Sequence, residues 1–260
     1  MRYVLQLSFN GTNYHGWQKQ LNAHTVQAEL EKALSTLLRM PVETTGCGRT
    51  DTGVHAADFY VHFDADTELT PELVYRLNKI LPADIAIHQL IRVSPFFHAR
   101  FDAGYREYFY HLHQQKNAFV FRSSWYRPGT LDFDLMNEAA TSLSHYTDFK
   151  CFSKVNTQVH TFLCTIQYAR WEQLQPGQWV FKIRANRFLR NMVRAIVGTL
   201  IEVGKGEMTI VQFRQVIESG NRSEAGLSVP AHALFLQLVH YPPVAFDLNR
   251  SSFKPAPDDE

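Results

Sequence analysis

The chain opens on a period-two alternation, with Tyr3, Leu5, Leu7 and Phe9 falling on one side of "MRYVLQLSFN". That is the pattern of a strand with one buried face. "NGTNYHGWQKQ" follows, and its Asn, Gly and Thr residues predict a structured loop. The spacing then becomes helical: Val26, Leu30, Ala33, Leu34, Leu37 and Leu38 line one stripe, with Thr25 placed to cap it. "PVETTGC" reads as a strand and "AADFYVHFDAD" as a second extended segment beyond a Gly-rich stretch. "TPELVYRLNKILP" predicts a helix with Thr70 as cap, Pro71 at the first helical position and a stop at Pro82, and "DIAIHQLIRV" predicts another strand.

A second round starts near Tyr105. It runs from the strand "YREYFYHLH" to a helix around "DFDLMNEAATSL", strands near "FLCTIQYARW" and "QWVFKIRA", two helices, and the strand "ALFLQLVHY". The order of elements echoes the first round without repeating its sequence. The expected fold class is therefore α+β: two pseudo-symmetric α/β halves, residues 1–104 and 105–245, sharing a mostly antiparallel sheet with helices on the outer faces. The Pro, Ser and acidic residues of 246–260 read as a flexible tail.

Composition narrows the function classes. Lys and Arg number 26 against 25 Asp and Glu, so any polyanion must be held by a local patch rather than by overall charge. Cys47, Cys151 and Cys164 are odd in number and far apart, which argues against a disulfide framework or a zinc knuckle and suits a reducing cytoplasm. The N-terminus turns polar too soon for a signal peptide core, and no run approaches membrane-spanning length. The expectation is a cytoplasmic protein without a membrane partner.

The densest chemistry lies in "GCGRTDTGVHA", residues 46–56. Asp51-Thr52-Gly53 matches the triplet around a pepsin-like aspartate. A proton-sharing acid pair needs two such triplets, or one in a small homodimeric chain. Here a chain of 260 residues has one; "FDAG" at Asp102 lacks the hydroxyl residue, and Arg49 suits a lone ionised carboxylate or a phosphate better. No G-x-G-x-x-G spacing, P-loop or metal-ligand cluster is present, so neither nucleotide triphosphate use nor a catalytic metal is indicated. Along "YREYFYHLH" the pleat puts Arg106, Tyr108 and Tyr110 on one face, suited either to stacking an unpaired base or to a half-buried aromatic strand. In "ANRFLRNMVRAIVGTLIEVG", read as one helix, Phe188, Leu189, Met192, Val193, Ile196 and Leu200 form an apolar stripe. Arg187, Arg190 and Arg194 cluster beside it within about 60°. Lys182 and Arg184 extend this basic block, with no acid between Gln173 and Ile201. A phosphate-tracking surface, a partner for a buried carboxylate and a solvated face all fit.

Taken together these motifs resemble the bacterial tRNA pseudouridine synthase A family. "GCGRTDTGVHA" is similar to its signature G-x-G-R-T-D-x-G-V-H, and "FNGTNYHGWQKQ" to Y-D-G-x-x-[FY]-x-G-W-Q-x-Q. "LPADIAI", "FHARFDA" followed by "YREYFY", and "FLRNMVRAIVGTLIEVG" follow in family order, from Phe9 to about Tyr241. The resemblance implies the pseudouridine synthase fold, with an active-site cleft between the halves, and Asp51 as catalytic aspartate. It implies that Arg49 is linked with extruding the target nucleotide, that Tyr108 stacks on the uracil and that Arg194 pairs with Asp51 and keeps it ionised. Arg106, Arg187 and Arg190 are further candidates for contacting RNA. The implied reaction converts uridine to pseudouridine at positions 38, 39 and 40 of the tRNA anticodon arm, in a homodimer without cofactor. A non-catalytic tRNA-binding protein is the alternative. Cys47 and Thr52 stand where the family usually has Ala, Asn10 where Asp is common, and a buried, inert Cys47 is expected. "SKVNTQVHTFLCTI" resembles the family poorly and lends no functional residue.

Overall fold

The computed structural model describes residues 1–154 and 161–252. The chain divides into two compact units, Met1–Gly104 with the segment from Leu236, and Tyr105–Phe235. The first unit thus takes in most of the last strand, from Leu236, as well as residues 1–104.

In the first unit β1 (Arg2–Phe9) lies antiparallel between β3 (His55–Asp64) and β4 (Ile85–Val93). β9 (Leu234–His240) follows β3 in the strand order, and Asp58 Oδ2 on β3 accepts the Val239 N–H at 3.0 Å. The alternation of β1 buries Tyr3, Leu5 and Leu7, and the stripe of α1 (Val26–Leu38) buries Val26, Leu30 and Leu34. Thr25 caps α1 by accepting the Ala28 N–H. α2 (Glu72–Ile80) has Pro71 itself at the cap, one residue later than expected, because its fixed φ already continues the helix. The expected strand over "PVETTGC" shrinks to β2 (Thr45–Gly46). Its backbone groups are taken by side chains of α1 instead of a ladder: Val42 N–H donates to Ser35 Oγ, and Thr44 N–H to the buried Glu31.

In the second unit β5 (Tyr105–His113), β8 (Gln178–Ala185) and β7 (Ile166–Gln175) pair antiparallel in that order, and the short β6 (Trp125–Tyr126) runs parallel to β5. α3 (Phe133–Ser142) is capped by Asp132, and α5 (Ile210–Ser219) by a Thr209/Gln212 capping box. Between them α4 (Met192–Gly204) is almost wholly buried. The fold class is α+β with mostly antiparallel strands, as expected.

Residues 246–250, read from composition as tail, are instead held to the first unit. Phe246 stacks on Phe97, and the Arg250 guanidinium pairs with the buried carboxylate of Asp102 at 2.8 Å. Composition missed this because one ring and one guanidinium suffice to fasten an otherwise polar segment. Residues 253–260 of that tail, and 155–160 within "SKVNTQVHTFLCTI", lie outside the described residues.

Candidate active site

Asp51 is half-buried in the turn between β2 and β3, and the turn is held by backbone atoms of the Asn10–Trp17 loop. Gly53 N–H donates to the Tyr14 carbonyl at 3.2 Å, Trp17 N–H to the Thr50 carbonyl at 3.4 Å, and Gly11 N–H to Nδ1 of buried His55 at 3.1 Å. The acceptor role of Nδ1 places the His55 proton on Nε2. These approaches leave no room for side chains. A Cβ at Gly11 would stand 2.0 Å from the Val54 carbonyl oxygen, and one at Gly16, whose φ is +87°, would stand 2.2 Å from that of Thr50.

A third motif locks the same loop from behind. Asp84 of "LPADIAI" accepts the Tyr14 hydroxyl at 2.5 Å and the Asn13 amide at 3.3 Å, and its carbonyl takes the Asn10 N–H at 2.9 Å. Burial, and then the hydrogen bond to Asp84, pushes the Tyr14 hydroxyl well above the usual tyrosine range, so it stays a donor. Asn10 fills the Asp-like position by accepting the Thr12 N–H at 3.0 Å. Sequence reasoning quoted these motifs but gave Tyr14, His55 and Asp84 no task. Their signal was polar residue types embedded in motifs that also carry turn-forming Gly.

Around Asp51, Arg49 is exposed, and Thr50 Oγ1 is buried without a hydrogen-bond partner among the described residues. The expected buried Cys47 is 1% exposed, with its Sγ accepting the Tyr60 N–H at 3.5 Å. Thr52 is exposed, and nothing in the structure explains it.

The remaining candidates belong to the second unit. Tyr108, on β5 opposite Ile183, is half-buried and meets the Phe188 ring edge-on at 5.0 Å. Arg106 donates from Nη1 to the Asn186 carbonyl at 2.9 Å, and Asn186 Oδ1 accepts the N–H groups of Thr165 and Arg187. The corner after β8 thus gathers Arg106, Tyr108, Arg187 and Phe188.

The single helix expected over "ANRFLRNMVRAIVGTLIEVG" is corrected. α4 begins at Met192, and Asn191 before it is left-handed, with φ 68°. Asn tolerates that conformation, and its Nδ2 is tied to Ser228 Oγ at 2.6 Å. Arg187 and Arg190 therefore precede the helix, and the angular cluster with Arg194 does not exist. Arg194, in the first turn of α4, donates from Nε to the Val229 carbonyl at 2.7 Å while its own carbonyl accepts the Val229 N–H. The residues near Leu227 run so close to α4 that a Cβ at Gly198 would stand 1.8 Å from the Leu227 oxygen.

The expected basic block is corrected as well. Lys182 and Arg170 both bind Glu172 at 2.5 Å, and Arg184 reaches Glu107 at 3.4 Å. The Lys182 ammonium beside Glu172 holds its carboxyl below the usual range. Charge counting along the chain missed these acids because the β5, β8 and β7 register brings them across from neighbouring strands. Among the described residues no three His, Cys, Asp or Glu side chains are placed to hold a metal ion, and no helix is long and apolar enough to cross a membrane.

Comparison with known sequences adds a family. The family described as tRNA pseudouridine synthase matches residues 139–242. A tRNA pseudouridine synthase A of Porphyromonas gingivalis is 51% identical over 93% of this chain and 97% of its own length. Proteins of the same name from Clostridium acetobutylicum and Gloeobacter violaceus are 39% and 37% identical, over 91% and 97% of this chain and over 98% and 84% of their own lengths.

Proposed function

Because the chain belongs to the tRNA pseudouridine synthase A family, we propose that it isomerises uridine to pseudouridine at positions 38, 39 and 40 in the anticodon arm of tRNA, with Asp51 as nucleophile or base. The observation that carries the role of Asp51 is its setting. The Asp51 carboxylate stands in a turn whose neighbours on both sides are fixed by backbone hydrogen bonds from a separate loop. Such fixation positions a reacting group far more than stability alone requires.

The reaction breaks the N1–C1′ bond, turns the uracil and rejoins it through C5, with no net redox change. On one route the Asp51 carboxylate attacks C1′, the N1–C1′ electrons leave with the uracil, and C5 then displaces the carboxylate. C5 loses its proton and N1 gains one. On the other route Asp51 removes the proton at C2′ as uracil departs, giving a glycal; C5 then adds at C1′ as Asp51 returns that proton to C2′, and again C5 loses its proton and N1 gains one.

Either route needs the nucleotide out of its stack, the task assigned to Arg49, and a face for the freed base, assigned to Tyr108. Arg194 is the cation assigned to Asp51, since a guanidinium favours the charged form of a shielded carboxylate. Arg106, Arg187 and Arg190 are assigned to RNA phosphates. The enzyme acts as a cytoplasmic homodimer.

Asp51→Asn is expected to abolish pseudouridine formation in tRNA while leaving the thermal midpoint and tRNA affinity near wild type. Turnover close to wild type would overturn the assignment. Mapping pseudouridine in tRNA from a deletion strain complemented with either form tests the three positions.

A further inference from the structure

The loop after β5 is unlike the rest of the second unit's surface. Phe119 is 97% exposed and Phe121 59%, on a stretch that also holds Lys116 and Arg122. No Asp or Glu occurs from Gln114 to Leu131. Neither Lys116 nor Arg122 meets a carboxylate among the described residues, and Arg122 lies over the Phe121 ring at 5.3 Å. The loop is nevertheless ordered by its own bonds. Gln114 N–H donates to the Gly177 carbonyl, Phe119 N–H to Asn117 Oδ1, and Ser123 N–H to the Val120 carbonyl.

The same loop borders an open hollow of about 130 Å³, lined among others by Val120, Ser123, Leu174 and Trp179. Leu174 on its wall is 55% exposed. Exposed rings and cations on the same turn are together what holds unpaired nucleotides: stacking on the rings, phosphate on the cations.

We propose that the Gln114–Ser124 loop is a second tRNA-docking surface, in which an unpaired base stacks on Phe119 or Phe121 while Lys116 and Arg122 grip the adjoining phosphates. This rests on tRNA being the substrate. The surface is separate from the Tyr108 corner. Four residues of β5 lie between Tyr108 and His113, a span of about 17 Å of extended chain, before the loop begins. A second copy of this chain is the poorer occupant. A two-fold contact centred on this loop would set Lys116 and Arg122 against their own counterparts, whereas a polyanion neutralises them.

Four full-length proteins test this: wild type, Phe119→Ala with Phe121→Ala, Lys116→Gln with Arg122→Gln, and all four changes together. Each is measured for tRNA affinity across a salt series, for kcat and KM, for thermal midpoint and for sedimentation. Removing the rings is expected to weaken tRNA binding about tenfold, with KM raised to match and kcat at saturation unchanged. Removing the cations is expected to make the salt slope shallower by about two. Thermal midpoints should hold, because the substituted side chains are exposed. Unchanged affinity and salt slope would overturn the proposal. So would a fall in oligomer size with tRNA affinity kept, which would assign the loop to self-association. A wild-type protein that binds tRNA yet makes no pseudouridine would overturn the proposed reaction and leave this surface standing.

Discussion

The turn that carries Asp51 and the run that carries Arg187 and Arg190 are both irregular, both rich in candidate residues and built by opposite means. Around Asp51 the chain commits its backbone: carbonyls of Tyr14 and Thr50 and N–H groups of Gly11, Trp17 and Gly53 are all engaged, at approaches that exclude a side chain. Between β8 and α4 the holding is done by side chains, Asn186 and Asn191, and Arg190 is exposed. A group that must meet one reacting atom needs its Cα fixed. A group that meets a phosphate needs only reach and charge, and a long flexible side chain supplies both.

The sharpest way to break this contrast is Gly16→Ala. With φ +87° and a carbonyl oxygen 2.2 Å from the new Cβ, it is expected to cost about 3 kcal/mol or more in urea unfolding and to depress turnover further than tRNA affinity. Gly206→Ala is the control: its φ is +74° but the space around it is open, so a cost of about 1 kcal/mol is expected, with activity kept. Equal effects at the two glycines would remove the special standing of the Asp51 turn.

Acid should separate the units next. His62 lies on β3, the strand leading away from that turn, with Arg2, His98, Asp64 and Asp102 around it. Burial first, then Arg2, lowers its pKa to about 4. The unfolded ring titrates near 6.5, so protons bind the unfolded chain preferentially between these values. Stability is level above that window and falls as pH drops through 6.5 towards 4, by about 2 kcal/mol at pH 5 and about 3 kcal/mol at pH 4. His62→Asn, which can keep an acceptor for the Ala99 N–H now held by Nδ1, should flatten the loss when urea midpoints at pH 7.5 and 5 are compared. An unchanged slope would move the sensitivity to His113 of the second unit, which burial also lowers.

Tyr14→Phe is expected to cost about 1–2 kcal/mol, because it leaves Asp84 short of one donor. kcat should fall while KM holds, if the Tyr14–Asp84 bond serves placement of Asp51. Smallest in stability, within about 0.5 kcal/mol, are Arg187→Glu and Arg190→Glu. Each is expected to weaken tRNA binding and make the salt slope shallower by about one. An unchanged slope for Arg190→Glu would return that residue to an ordinary solvated position.

Most of the architecture was legible in the sequence because local pattern and final burial agree. The β1 alternation, the α1 stripe with its Thr25 cap, and the strands of the second unit lie where periodicity puts them. What escaped had a non-local cause. "PVETTGC" loses most of its strand to the side chains of Ser35 and Glu31, which no window around residue 42 contains. The start of α4 depends on one left-handed Asn, and helical spacing continues across it unbroken in the letters. Within the candidate site the residue types could be read in order, but not that Asp84 and Tyr14 brace the turn of Asp51, since that requires three distant loops to meet.

One consequence concerns the order of synthesis. The unit that begins at Met1 and bears Asp51 is completed only from Leu236 onward, where Val239 bonds Asp58 and Tyr241 packs against Tyr60 and Phe97. On the ribosome, β3 must wait with an unsatisfied edge while more than a hundred residues of the second unit emerge and collapse. A chain released shortly before residue 236 would carry every candidate side chain and still lack the strand that closes the sheet behind Asp51. Truncated products are thus disarmed by topology, and a nascent chain cannot begin modifying RNA before its own translation is nearly finished.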